Sequence, residues 1–291
     1  QTRSGQGAIC NVVGIDASTQ ESPIPPDVSW RTVATRARSA GAPTDCARER
    51  YACSMTDATS PLADAELLLK EQHGDVVLLT LNRPGRLNVL DEALIDRLES
   101  EVVALRDDER VRAVVITGAG GAFCAGADVR GKDFDPVGSR RFLTRLNRLF
   151  DDLEALPQPT VAAIGGPAVA GGLELALACT FRVASLESRL GLPEVDLGLV
   201  VAGGGTRRLP RLVGLGRALE LCLLGDPLEA EEAARIGLVN RVCAEGGHRE
   251  EGLALARRLA EGPPLAQSLM KDALYANAGR ADGERLLEIL S

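Results

Sequence analysis

The sequence predicts an α/β fold in which a mostly parallel sheet is covered by helices. Short apolar segments typical of buried strands, VRAVVIT (111–117) and TVAAI (160–164), alternate with segments of helical periodicity. The 291 residues are 45% hydrophobic and 25% charged, which is the composition of an ordinary globular protein. Alternating strands and helices are typical of a parallel sheet with helices packed on its faces.

The individual elements follow one another from residue 66. ELLLKEQHGDVVLLTLN (66–82) predicts two strands joined by a Gly-Asp turn, which is a hairpin signal. DEALIDRLESEVVALR (91–106) and SRRFLTRLNRLFDDLEAL (139–156) predict helices with one apolar face each. FRVAS (181–185) predicts a further strand, and helices are expected after SRLGLPEVDLGL. The predicted apolar faces consist of Leu94, Leu98, Val102 and Leu105 in the first helix, and Phe142, Leu146, Leu149, Phe150 and Leu153 in the second.

The first 57 residues differ in composition from the rest of the chain. They are rich in Pro, Ser, Thr, Ala and Arg, and they show neither helical nor strand periodicity. We therefore expect residues 1–57 to be a disordered or non-native extension, with the folded core beginning at about residue 58.

Composition disfavours several classes of function. A net charge of −8 argues against nucleic acid as the partner, and no apolar run is long enough to span a membrane. The seven cysteines form neither a CxxC pair nor a metal-ligand spacing, which predicts reduced thiols and no metal. The two histidines, His73 and His248, lie in polar connecting sequence without a supporting motif for Ser-His-Asp catalysis. We expect a cytoplasmic protein, or a mitochondrial matrix protein in a eukaryote.

One carboxylate lies in a run of small and apolar residues, GGPAVAGGLELALAC (165–179). Glu174 follows the glycine pair Gly171-Gly172 by two residues. Either this run is the wall of an active site, or it is an amphipathic helix whose solvent-facing residue is Glu174.

Two glycine-rich loops bear on this choice. Neither TGAGGAF nor GADVRGKD completes a nucleotide-binding motif, because Phe123 replaces the third glycine of one and Asp133 the final Ser or Thr of the other. FCAGAD (123–128) and AVAGGLEL (168–175) are instead expected where a strand ends and a helix begins. Unpaired N–H groups there could hold an oxyanion. For each loop alone, a tight turn required for packing is the alternative.

Four segments together resemble the crotonase superfamily. They are NRPGRLNVL (82–90), AFCAGAD (122–128), GGPAVAGGLELALAC (165–179) and LGLPEVDLGLVVAGGGTRRLPRLVG (190–214), in the family's order and spacing. Over about residues 66–290 the chain is most similar to enoyl-CoA hydratases, including methylglutaconyl-CoA hydratase-like proteins. The resemblance implies a crotonase-like ββα spiral core at 58–250 and a C-terminal helical region at 251–291. It also implies that this region is truncated, because the chain stops before the family's terminal helix.

The resemblance also implies which residues form the site. An acyl-CoA thioester would bind with its carbonyl oxygen between the backbone N–H groups of Ala127 and Gly171. Glu174 would activate water and Glu194 would donate a proton to C2, so an enoyl-CoA would be hydrated without metal or cofactor. The substrate-binding residues would be Arg86, Leu87, Ala125, Asp128, Val129 and Gly172. A homotrimer or a dimer of trimers is implied as well.

This sequence departs from the family pattern at two places near Glu174. Ala170 replaces the first residue of the usual glycine triplet, and we expect the N–H of Gly171 to keep its place. Thr180 replaces an Asp that often follows this segment, and we expect altered packing or supporting contacts there. Two other functions stay open, namely a double-bond isomerase on the same scaffold and a non-catalytic binding protein.

Overall fold

The computed structural model describes residues 67–128 and 136–278. Its main sheet has six strands, which are, in order across the sheet, β1 (Leu68–His73), β2 (Val76–Leu81), β3 (Ala113–Gly118), β4 (Thr160–Ile164), β6 (Phe181–Ser185) and β9 (Arg241–Cys243). The first two strands form an antiparallel hairpin around Gly74 and Asp75, as the sequence predicts, and the others add in parallel.

A second, three-stranded sheet lies beside the main one. It is formed by β5 (Pro167–Val169), β7 (Arg189–Gly191) and β8 (Leu228–Glu229) in the order β5-β7-β8. An isolated bridge between Cys124 and Ala168 connects it to the loop that follows β3. The two predicted oxyanion donors lie in this loop and just after β5.

Helices connect and cover the two sheets. Within the described ranges they are α1 (Glu92–Arg106), α2 (Pro136–Glu154), α3 (Gly171–Ala178), α4 (Gly205–Leu224), α5 (Ala230–Arg235), α6 (His248–Ala260) and α7 (Pro264–Asn277). There are also two short 3₁₀ turns, Pro84–Arg86 before α1 and Pro193–Leu197 between α3 and α4. The predicted α/β class is confirmed.

The hydrophobic core occupies both faces of the main sheet because side chains alternate along each strand. In β3, Val114 and Ile116 belong to the larger cluster, whereas Val115 packs on the opposite face with residues of α6. Each fully buried Leu or Ile contributes about 1.5–3 kcal/mol, so the larger cluster dominates stability. The apolar stripe predicted for α1 is buried, and that predicted for α2 is buried except for the partly exposed Phe142.

The predicted domain limits are only partly covered by the structure. The extension at 1–57 lies outside the described residues. The predicted division between residues 250 and 251 falls inside α6, whose Gly252 lies against Ala163 of the main sheet. Both limits therefore stay predictions.

Candidate active site

The turn between β5 and α3 sets the position of Gly171. Ala170 caps the helix with φ 52° and ψ −131°, a backbone conformation that strongly favours glycine. Gly171 is then the first residue of α3, where a helical N–H has no intrahelical partner. Gly172 packs so closely on Cys124 that a Cβ there would overlap the Cys124 carbonyl oxygen. Glycine at position 172 is therefore required by the contact between α3 and the loop after β3.

No helix begins within residues 123–128, which form isolated β-bridges instead, and this corrects the sequence prediction for this junction. Leu90 N donates to Gly126 O at 2.8 Å, and Asp128 N donates to Leu90 O at 2.9 Å. This pairing is a parallel bridge between Leu90 and Ala127. Because the groups that flank Ala127 bond to Leu90, the N–H of Ala127 points to the opposite side. Its direction thus comes from strand-like pairing and not from a helix terminus.

The two predicted oxyanion donors lie next to each other. A Cβ added to Gly171 would lie 3.2 Å from Ala127 N, and one added to Gly126 would lie 3.0 Å from Gly171 N. Among the described residues, neither N–H has a hydrogen-bond acceptor. The structure therefore brings two free N–H donors close together, as an oxyanion hole requires. Ala127 and Gly171 stay predicted binding groups.

Asn88 holds the loop after β3 in place, a role that the sequence reasoning did not identify. It is fully buried, and its Nδ2 donates to Ala119 O at 2.9 Å and to Ala122 O at 2.8 Å. Its Oδ1 accepts from Arg83 N at 2.8 Å. The available signal was a polar residue inside the apolar run RLNVL.

The predicted substrate-binding residues surround the same loop. Ala125 N donates to Leu87 O at 2.9 Å, so these two residues pair directly. Arg86 forms an ion pair with the largely buried Asp128. Gly172 is buried, whereas Val129 lies outside the described residues. Contact with substrate stays a prediction for all of them.

Glu174 is buried, which overturns the alternative of a solvent-facing residue. It lies on α3 one turn after Gly171, and only 3% of its surface is exposed. Its Oε1 accepts a hydrogen bond from Gly205 N at 2.8 Å. Burial raises the pKa of this carboxyl, and the backbone N–H groups of Gly205 and Gly203 oppose that rise.

Glu194 approaches from a different element. It lies on the 3₁₀ turn Pro193–Leu197 and is 7% exposed. Its Oε2 is buried without a hydrogen-bond partner among the described residues. Burial, and then the charge of Glu174, raises the pKa of Glu194 to about 7. Near neutral pH this carboxyl is thus divided between the protonated and ionised forms.

The glycine triplet Gly203–Gly205 packs against the Glu174 carboxylate. A Cβ on Gly205 would lie 3.0 Å from Glu174 Oε1, and a Cβ on Gly203 would overlap Oε2. Only glycine lets this backbone approach the carboxylate so closely. The sequence reasoning included the triplet in a family motif but gave it no role, although three consecutive glycines at a helix start were a usable signal.

The structure also describes the contacts of Thr180, where this sequence departs from the family pattern. Thr180 and Thr160 exchange hydrogen bonds, because Thr180 N donates to Thr160 Oγ1 at 2.8 Å and Thr160 N donates to Thr180 Oγ1 at 3.1 Å. The two threonines thus tie the end of α3 to β4.

Over the described ranges the four cysteines are free, and no group of metal-ligating side chains is found. None of the described helices is long and apolar enough to cross a membrane.

The sequence is similar to those of known enoyl-CoA hydratases. Residues 71–289 match the protein family described as enoyl-CoA hydratase/isomerase. The short-chain-enoyl-CoA hydratase of Clostridium acetobutylicum is 38% identical over 209 residues, covering 71% of this chain and 80% of that protein. The mitochondrial methylglutaconyl-CoA hydratase of Mus musculus is 37% identical over 214 residues, covering 71% and 68%.

Solved structures show the same similarity. An enoyl-CoA hydratase from Bacillus anthracis superposes with a TM-score of 0.74 at 35% identity, covering 77% of this chain and 88% of that one. DspI from Pseudomonas aeruginosa has a TM-score of 0.74 at 36% identity, covering 80% and 95%. The chain therefore belongs to the enoyl-CoA hydratase/isomerase family, within the crotonase superfamily. It is an enzyme of the enoyl-CoA hydratase type.

Proposed function

We propose that this enzyme adds water across the C2–C3 double bond of an enoyl-CoA thioester. The observation that carries the proposal is the pair of buried carboxyls, Glu174 and Glu194, whose charges interact beside two free backbone N–H groups. The family relationship supplies the substrate class, and the site supplies the chemistry that such a substrate needs.

The proposed reaction begins with the thioester oxygen between the N–H groups of Ala127 and Gly171. Glu174 takes a proton from water as the hydroxyl group bonds to C3, and the electron pair of the double bond moves toward the thioester oxygen. The enolate that forms is stabilised by the two N–H groups, each worth about 3–4 kcal/mol in such a site. Glu194 then gives its proton to C2.

The different surroundings of the two carboxyls support this division of roles. Glu194 has a pKa of about 7 and an unpartnered Oε2, so it can hold a proton and donate it. Glu174 accepts a hydrogen bond from Gly205, which favours its ionised form. No other cofactor is needed for these steps, since coenzyme A is part of the substrate.

Double-bond isomerisation is the second candidate. It needs a single group to move a proton along the acyl chain, and either buried glutamate could serve. Two buried carboxyls favour hydration, because hydration needs both a base for water and an acid for C2. A non-catalytic binding protein is disfavoured because the site has the donors and titratable groups of a catalyst. Nucleic acid stays an unexpected partner because of the net charge of −8.

A panel of substrates tests the proposal. Purified enzyme is offered 2-enoyl-CoA thioesters of several chain lengths, a methyl-branched enoyl-CoA and a 3-enoyl-CoA. Loss of the conjugated absorbance with formation of 3-hydroxyacyl-CoA is expected for at least one 2-enoyl thioester. Conversion of the 3-enoyl thioester to its 2-enoyl isomer, without hydration of any panel member, would show that the enzyme is a double-bond isomerase instead.

The assembly we propose is a homotrimer or a dimer of trimers. One face of α4 leaves large apolar side chains exposed, and α7 exposes several more; they are Leu215, Leu219, Leu223, Leu265, Met270 and Leu274. Exposed apolar faces of this kind mark contact surfaces between chains. Light scattering after size exclusion is expected to give three or six copies. A Leu219→Glu variant is expected to give smaller species, while a monomeric wild type would contradict the proposal.

The proposal also includes the location of the enzyme in the cell and the residues that contact its substrate. The proposed location is the cytoplasm, or the mitochondrial matrix in a eukaryote; one relative is itself described as mitochondrial. The acyl-CoA would contact Arg86, Leu87, Ala125, Asp128, Val129 and Gly172.

A further inference from the structure

A buried arginine lies behind the glycine triplet. The side chain of Arg208, on the first turn of α4, is only 2% exposed. Its Nη2 donates to Asp151 Oδ1 at 2.6 Å and to Glu154 Oε2 at 3.2 Å, and its Nε donates to Glu154 Oε1 at 3.1 Å. Two carboxylates of α2 therefore fix both the position and the orientation of the guanidinium group.

The remaining nitrogen of this guanidinium faces the segment that holds Glu174. Arg208 Nη1 donates to Gly203 O at 3.3 Å, and the backbone N–H of Arg208 donates to Gly204 O at 3.0 Å. Gly205 N, at the end of the same segment, donates to Glu174 Oε1. A continuous set of contacts thus leads from α2 through Arg208 and the glycines to the carboxylate.

Arg208 also acts on Glu174 through its charge. Burial raises the pKa of Glu174, whereas the N–H groups of Gly205 and Gly203 and the positive charge of Arg208 lower it. The other titratable groups that face Glu174 are Glu194 on the 3₁₀ turn and the Cys222 thiol on α4. Arg208 is therefore the cationic group that offsets burial at this carboxyl within the described residues.

We propose that Arg208 is a positioning residue for Glu174, holding the Gly203–Gly205 backbone against the carboxylate and favouring its ionised form. The kinetic part of this inference rests on the proposed hydration, in which Glu174 must be ionised to take a proton from water. The part that concerns the ionisation of Glu174 does not depend on the reaction.

The neighbouring residue provides a matched control. Arg207 pairs with the same two carboxylates, Asp151 and Glu154, but its side chain is 45% exposed. Its backbone N–H donates to Gly204 O at 3.1 Å, much as that of Arg208 does, but its side chain has no hydrogen bond to Gly203, Gly204 or the Glu174 carboxylate. Replacing either arginine by Met keeps these backbone bonds and removes one charge and part of the same ion-pair cluster. Only the change at 208 also removes a side-chain contact with the glycine segment.

The kinetic experiment compares the pH profiles of hydration for wild type, Arg208→Met, Arg208→Lys and Arg207→Met. The acidic limb of the Arg208→Met profile is expected to move up by about one pH unit, with a loss in kcat of about tenfold near that limb and little change in KM. Arg208→Lys, which keeps the charge, is expected to restore most of the limb. Arg207→Met is expected to keep the wild-type profile. An identical profile for the two Met variants would overturn the inference.

A second readout separates this inference from the proposed function. Infrared titration of the carboxyl band that is lost in Glu174→Gln reports the ionisation of Glu174 without substrate. Its midpoint is expected to rise in Arg208→Met and to stay at the wild-type value in Arg207→Met. Absence of hydration by wild type would contradict the proposed function alone, whereas an unchanged midpoint in Arg208→Met would contradict the role of Arg208.

A milder pair of variants covers the case in which Arg208→Met does not fold. Asp151→Asn weakens one anchor of Arg208 at an exposed position, and Asp152→Asn changes a neighbouring acid that pairs with Arg106 instead. The Glu174 midpoint is expected to rise in Asp151→Asn and not in Asp152→Asn. Equal midpoints in the two Asn variants would overturn the inference.

Discussion

The two glutamates of the candidate site are both buried, yet the regions that present them differ. Glu174 lies on the helix α3, against a glycine backbone that donates a hydrogen bond to it and beside the charge of Arg208. Glu194 lies on a short 3₁₀ turn, and its Oε2 has no partner among the described residues. Burial alone would raise the pKa of both carboxyls. Their partners, rather than their burial, therefore distinguish the base from the acid.

The largest expected effect comes from removing either carboxylate. Glu174→Gln and Glu194→Gln keep the size of the side chain, but each removes one proton-transfer group, so hydration is expected to fall by about 10²–10⁴. Because the two groups act on one water and one substrate, the double variant is expected to be scarcely slower than the poorer single variant.

Steady-state hydration of the best substrate in the panel measures all three variants, and binding of a saturated acyl-CoA serves as the control for folding. Near-wild-type hydration by either folded single variant would contradict the two-glutamate mechanism. If the fold-reduction in the double variant equals the product of the two single fold-reductions, the two groups act independently.

A methyl group at Gly171 is expected to have the next largest effect. Gly171→Ala keeps the N–H but places a carbon 3.2 Å from Ala127 N, in the space proposed for the thioester oxygen. Loss of oxyanion stabilisation is expected to lower kcat by about 10²–10³. Gly216→Ala is the control, because a Cβ there meets nothing within 4 Å. Equal turnover by the two variants would place the oxyanion elsewhere.

The raised pKa of Glu194 predicts a pH-dependent cost in stability. Its pKa in the folded protein is about 7, against 4.5 for an unperturbed glutamate, so the free energy of unfolding falls as the pH rises between these values. Glu194→Gln removes this ionisation and is expected to gain stability relative to wild type, by up to about 3 kcal/mol above pH 7. Urea unfolding at acidic and at mildly alkaline pH measures the difference. A gain that is independent of pH would show that Glu194 does not titrate in this range.

The smallest expected effect concerns the turn that positions Gly171. Ala170→Gly relieves a φ of 52° that alanine adopts at a cost, and it is expected to stabilise the fold by about 1 kcal/mol with little change in turnover. Ala168→Gly, in the neighbouring strand without a positive φ, is expected to destabilise it. Thermal unfolding of both variants provides the comparison, and a lower Tm for Ala170→Gly would show that the turn is not strained.

The contrast between the two glutamate regions also explains how far the sequence could predict the site. Local sequence patterns were enough to predict the hairpin, the buried apolar stripe of α1 and the helix that begins at Gly171. The solvent-facing alternative for Glu174 could not be dismissed from its helix alone, because its burial depends on Gly203 and Gly205, about thirty residues away in the chain. Contacts of this kind are set by tertiary packing, which leaves little trace in periodicity.

The same limit applies to the loop after β3. A row of small residues at 123–128 predicted a helix start, but the loop forms β-bridges with Leu90 and Ala168 instead. Asn88 lies 34 residues from Ala122, whose carbonyl it binds, and Arg208 lies 57 residues from Asp151, which anchors it. No local pattern around either residue predicts these partners.

Proton exchange at C2 tests the assignment of the two glutamates most directly. A saturated acyl-CoA held by the two N–H groups can exchange its C2 proton with deuterated solvent through Glu194 without any water being added. Glu174→Gln is expected to lose hydration but keep C2 exchange within about tenfold of wild type, while Glu194→Gln is expected to lose both by about 10²-fold or more. Exchange that depends on Glu174 and survives in Glu194→Gln would contradict the assignment.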